Sequence, residues 1–269
     1  MTLFTRCFLL VFCQLGVGGF LALAIPPFHD IARGYFKSSG GVFLFCSWVG
    51  GGGAIYLRLT RGVESVGTGE AILWALFLVL SSAYLATLWG EAVQARARLF
   101  AATLLVGFVA LAVSGVGIAS GESAALDGLA VVNVWAGAAA LGGVTSGMLI
   151  GHWYLIDPGM EIEPFHKCFR FFVRSIFFEV SVLVAVLAFA SIALPRPESG
   201  DVLDGYWKLA GMRLLLGPMA ALGIAALIAR VLAIPQTMAA TGLFYIATLA
   251  VLVGSFLGRY FTFRTGLPL

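Results

Sequence analysis

Residues 139–175 read AALGGVTSGMLIGHWYLIDPGMEIEPFHKCFRFFVRS, and how this stretch is understood decides the fold. Up to Gly151 it is uncharged and carries small residues at every fourth position (Ala139, Gly143, Gly147, Gly151). That spacing lets an apolar helix bring its backbone close to another helix inside a membrane. His152, Trp153 and Tyr154 end the apolar face, a Pro158-Gly159 turn follows, and a basic segment opens with Pro164, Phe165 and His166. The stretch reads as the end of one span, a turn, and a basic amphipathic link into the next.

The surrounding sequence is equally apolar. Of 269 residues, 61% are hydrophobic and 11% charged, too few polar side chains to coat a soluble globule. Crossing a hydrocarbon core takes roughly 20 apolar residues per helix, and lipid leaves backbone amides no partners outside helices and closed barrels. The runs here are long and continuous, without the short alternating segments of a barrel. The expected fold class is therefore all-α: a polytopic membrane helical bundle forming a single integral membrane domain over residues 1–269. Apolar length and polar or Pro/Gly punctuation place eight transmembrane helices at roughly 3–25, 40–57, 70–90, 99–119, 127–151, 174–194, 208–229 and 238–258, with longer connections after the first and fifth. A net charge of +3 without an aromatic-interleaved basic cluster argues against nucleic acid as a partner.

Residues 27–38 (PFHDIARGYFKS) echo residues 164–175 (PFHKCFRFFVRS): Pro, Phe, His, Arg and Ser coincide. Both segments follow the first helix of a four-helix set, so two parallel halves, residues 1–120 and 126–269, are the expected internal plan. The first segment imitates a signal peptide at Ala22-Leu23-Ala24, but its length and its place in the repeat favour a span. Arg33, Lys37, Arg96, Arg98, Lys167, Arg170, Arg174 and Arg230 share one side, which the positive-inside rule makes cytoplasmic by a narrow margin. Cys7, Cys13, Cys46 and Cys168 lie far apart in sequence and read as small apolar residues. Gly50–Gly53 sit within an apolar run without the lysine of a phosphate loop, and point to close helix packing.

Ionisable residues within or at the ends of spans are the informative ones, because an unpaired charge in hydrocarbon costs several kcal/mol. Glu70 begins span three, Glu91 ends it, Glu179 lies inside span six and Arg213 lies early in span seven. If the halves are equivalent, Glu70 and Arg213 begin matching spans and share a face. A quinone pocket needs an apolar slot, a donor to one carbonyl oxygen and a base that takes a proton. Arg213 fits the donor and Glu70 the base, with Tyr56 and Arg58 reaching the same region across a short loop. The plainer alternative makes Glu70 a helix-start carboxylate favoured by the helix dipole and Arg213 a snorkelling side chain.

His29, His152 and His166 are grouped on the other side, in loops and at span ends, as candidates for cofactor contact. No two of them fall mid-span, so a bis-histidine haem is not expected, and their spacing matches no metal motif.

The termini resemble a known family. Gln14, Gly18 and Gly19 in the first span, Gly258, Arg259 and Phe261 in the last, the early basic Arg213 and the Gly-rich fifth span are similar to the dimethyl sulfoxide reductase membrane anchors, related to the NrfD-like quinone-interacting subunits. The resemblance implies an eight-helix anchor in the bacterial cytoplasmic membrane. Such an anchor binds menaquinone or ubiquinone and serves partner redox subunits of the iron–sulfur and molybdenum type in a hetero-oligomer. Glu70 matches the family's glutamate at the start of span three. Tyr56-Leu57-Arg58 stands where the family has a histidine, and Ser255 where it has a glutamate. The rival expectations are a small-solute or lipid-handling transporter and a non-catalytic assembly scaffold.

Overall fold

A computed structural model describes residues 3–61, 66–118, 123–193, 206–234 and 236–269. Within them lie eight helices long and apolar enough to cross a membrane: α1 (Leu3–Ala22), α2 (Arg33–Arg61), α3 (Thr68–Thr87), α4 (Val93–Val116), α5 (Ala124–Ile156), α6 (Glu163–Ala193), α7 (Tyr206–Leu232) and α8 (Thr237–Thr265). The chain is an all-α polytopic bundle, as composition required.

Five helices overrun their expected limits by five residues or more. α2 starts at Arg33, α4 at Val93 and α6 at Glu163, while α5 continues to Ile156 and α8 to Thr265. The connection after α5 is therefore short, and the basic segment after His166 forms the first turns of α6 rather than a link. Apolar length marks only the part of a helix that matches hydrocarbon. The backbone continues helically through the more polar zone beyond it, because its hydrogen bonds are internal everywhere. α2 and α7 each contain one wider π-helical turn, Trp48–Gly52 and Leu215–Met219. Pro218 lies within the second, where its missing N–H removes a rung of the helical ladder.

The helices are arranged about α1 and α5, and glycine explains why. A Cβ on Gly18 of α1 would fall inside the Ala138 carbonyl, and one on Gly142 of α5 would fall inside the Gly18 carbonyl, so the two backbones touch directly. The Ala139-Gly143-Gly147-Gly151 row lies on another side of α5. There Gly143 faces the Phe172 backbone of α6 at 3.1 Å from a would-be Cβ, Gly147 faces the Phe244 ring of α8, and Gly151 faces Thr241. Two small-residue faces thus let α5 receive α1 on one side and α6 and α8 on the other. Gly50 of α2 approaches Cys13 of α1 in the same way, 2.5 Å from a would-be Cβ to the Cys13 nitrogen. Helix packing, then, is what the Gly50–Gly53 run serves.

α1 packs on α2, α4, α5 and α8, and α5 on α6, α8, α1 and α4. The two Pro-Phe-His segments differ locally. Phe28 lies in the α1–α2 connection against Phe36 and under the Arg96 guanidinium, whereas Phe165 is fully buried at the start of α6 between Tyr154 and Phe244.

Candidate functional site

The chain enters and leaves the bundle so that the starts of α1 and α3 and the ends of α2, α4 and α8 meet on one side. Between them lies a cavity of about 240 Å³. Leu9, Leu10, Ala54, Val66, Ile118 and Phe263 make its wall apolar, and Arg6, Cys13, Glu70, Trp74 and Ser114 contribute its polar groups.

Glu70 sits in the first turn of α3, where unpaired backbone N–H groups and the helix dipole favour a carboxylate. Trp74 is one turn further along the same face, and Ser114 crosses from α4. The Trp74 indole Nε1–H donates to the Ser114 hydroxyl oxygen at 3.3 Å, and the Ser114 hydroxyl donates to Glu70 Oε1 at 2.5 Å. An indole N–H can only donate, so it occupies a lone pair of the serine and leaves the hydroxyl proton for the carboxylate. The hydroxyl oxygen has a second lone pair, so it can accept from Glu70 once that acid is protonated. Ser114 can therefore stay hydrogen-bonded to Glu70 whichever of the two groups donates.

Arg213 is elsewhere. It is buried, 1% exposed, and its guanidinium donates to Glu179 of α6 in an ion pair whose partners are both enclosed. Gly217, Gly254 and Gly258 make the space for it: a Cβ on Gly258 would lie 2.5 Å from Arg213 Nε. Arg259, also buried, lies within electrostatic reach of both members of the pair and donates to the side-chain and backbone oxygens of Asn133 in α5. Asn133 in turn donates to the Pro268 carbonyl at 2.8 Å, and Gln14 of α1 donates to the Val134 carbonyl at 2.8 Å. The expectation that Glu70 and Arg213 share one site is thus not met. α3 and α7 do begin on the same side, but Glu70 turns toward α4 and α1, and Arg213 toward α6 and α8.

The remaining candidates are also separate from the cavity. Tyr56 is 65% exposed on the outer surface of α2. Arg58 donates to the Thr68 hydroxyl at 2.8 Å and borders a shallow groove with Leu59 and Ile72. His29 and His152 are exposed and His166 is half-buried, all at the opposite end of the helices from Glu70. Glu91 makes a two-pronged pair with Arg33, at 2.8 and 3.0 Å, tying the α3–α4 connection to the start of α2. That guanidinium holds the Glu91 carboxyl below its ordinary value.

Arg6, Cys13, Trp74 and Ser114 are the cavity residues that sequence reasoning overlooked. Arg6 carried a signal, as a charge at the start of an apolar run. Ser114 is one of several hydroxyls in spans and carried none. No protein-family model, curated protein or solved structure matches the chain.

Proposed function

We propose that this protein is a membrane anchor-like subunit that binds a lipid-soluble quinone, menaquinone or ubiquinone, in the Glu70 cavity and serves a partner redox subunit. The observation that carries the reading is a carboxylate held by a Trp74–Ser114 relay at an apolar-walled cavity within a bundle of membrane-spanning helices. Such a slot suits a ring with an apolar tail, and Glu70 suits the proton accepted when a quinol hydroxyl is oxidised. Oxidation of quinol to quinone releases two protons and two electrons. Glu70 takes one proton, the second is released to water at the membrane surface, and the two electrons pass to the partner's redox centre, of the iron–sulfur or molybdenum type that the family resemblance implies. Arg6, on the same cavity wall, takes over the carbonyl-donor role first expected of Arg213. The bacterial cytoplasmic membrane is the corresponding location.

Trp74 provides the test, since a bound quinone ring in the cavity would quench its fluorescence. Titrating the detergent-solubilised protein with menadione should give a saturable quenching component that is lost in Trp74→Phe and weakened in Arg6→Gln. Quenching that rises linearly without saturation, identical in wild type and Trp74→Phe, would overturn the assignment.

A further inference from the structure

The basic first turns of α6 are unexplained by the cavity. Lys167, Arg170 and Arg174 follow at three- and four-residue spacing, so they lie on one helix face. The same row continues through Phe178, Ser181, Ala185, Ala188 and Ile192, with Phe177 beside it. Every position of that continuation is exposed, including Phe177 at 57% and Ile192 at 85%. One outward stripe of α6 is therefore cationic over its first three turns and, apart from Ser181, whose hydroxyl donates back to the Phe177 carbonyl, apolar from Phe177 onward.

The acidic groups on the same helix end are Glu161 and Glu163. Glu163 accepts from Arg170 at 2.7 Å. Lys167 and Arg174 make no hydrogen bond or ion pair among the described residues, and Arg174 is exposed. An exposed cation immediately next to lipid-facing phenylalanines has a ready counterpart in the bilayer, where a phosphate lies just beyond acyl chains.

We propose that this stripe binds an anionic phospholipid, with Lys167 and Arg174 on its phosphate, Arg170 completing the cluster, and Phe177 and Phe178 against its acyl chains. The occupant is a lipid rather than an acidic protein because the cationic and apolar segments are continuous on one face of one helix. A soluble acidic partner would match only the first part.

The test uses the full chain in nanodiscs and reads the lipid retained after transfer to mild detergent, by native mass spectrometry. With equal phosphatidylglycerol and phosphatidylcholine, the protein should retain phosphatidylglycerol preferentially. The double variant K167Q/R174Q should lose about fivefold per side chain of that preference, whereas Arg61→Gln, at the opposite end of the bundle, should keep it. Circular dichroism checks that the double variant retains its helices. If it does not, Lys167→Gln alone, expected to lose about fivefold, decides. Three results would overturn the proposal: no preference in the wild type, an unchanged preference in the folded double variant, or equal stabilisation of the lipid-free protein by inorganic phosphate, which would make the stripe a site for soluble anions.

Discussion

Removing one member of the Arg213–Glu179 pair is a severe test of the packing between α6, α7 and α8. Both side chains are almost fully enclosed, at 2% and 4% exposure, and no solvent is at hand to hydrate whichever partner remains. Breaking a pair of this kind by truncating one side costs about 3–5 kcal/mol, most of it the penalty of an unpaired buried charge. Arg259 makes the two truncations unequal. Within reach of both groups, it repels Arg213 and attracts Glu179. Arg213→Met leaves Glu179 with a second cation nearby and should cost about 3 kcal/mol, the lower end of that range. Glu179→Leu leaves two guanidiniums facing each other and should cost about 5 kcal/mol, the upper end. The double variant E179L/R213M removes the charges together and should lie within about 1 kcal/mol of wild type, as apolar replacements of buried pairs commonly do. Equilibrium unfolding in mixed micelles, followed by far-ultraviolet circular dichroism, provides the four free energies of the cycle. A double variant as destabilised as the sum of its singles would refute the reasoning, because additivity means that the two groups do not interact.

Other consequences can be measured in the same preparation. Ser114→Ala strands the Trp74 N–H and removes the Glu70 donor, and should cost about 1–3 kcal/mol while shifting the tryptophan emission; unchanged stability and emission would remove the relay. Gly142→Ala drives a methyl into the Gly18 backbone and should destabilise by about 1–3 kcal/mol or more. Gly128→Ala, on the same helix with nothing near its would-be Cβ, should be neutral or stabilising by up to about 1 kcal/mol. Because Arg33 lowers the Glu91 carboxyl, their tie is fully present above the ordinary value of 4.5 and is lost as pH falls through the lower folded value. Hydrogen exchange in the Leu88–Ala92 connection should accelerate in that acid range, and Arg33→Gln should abolish the dependence.

The existence of eight spans was legible because each requires a long apolar run, and the lipid solvent enforces that requirement one helix at a time. The start of α6 was not. Lys167, Arg170 and Arg174 lower the local hydropathy without interrupting the helix, since their charges face outward where the bundle leaves hydrocarbon. Glu70 stood out as an ionisable group at a span start, but its partner Ser114 lies on a different helix, and only the α3–α4 contact brings them together. Arg213 and Glu179 were each visible as buried charges. Their pairing depends on how α6 and α7 rotate against each other, which sequence position alone does not encode. Equating α3 with α7 placed Arg213 and Glu70 on the same side of the bundle, yet neighbouring helices divide that side into two compartments.

The direct backbone contact between Gly18 and Gly142 has a mechanical consequence. Side chains that interdigitate can change rotamer and let helices slide, but a carbonyl resting on a glycine backbone has no such compliance. Shear along the α1–α5 seam would have to lift one backbone over the other. The seam acts as a keel, and flexing of the bundle belongs to the outer helices, α3 beside the cavity among them.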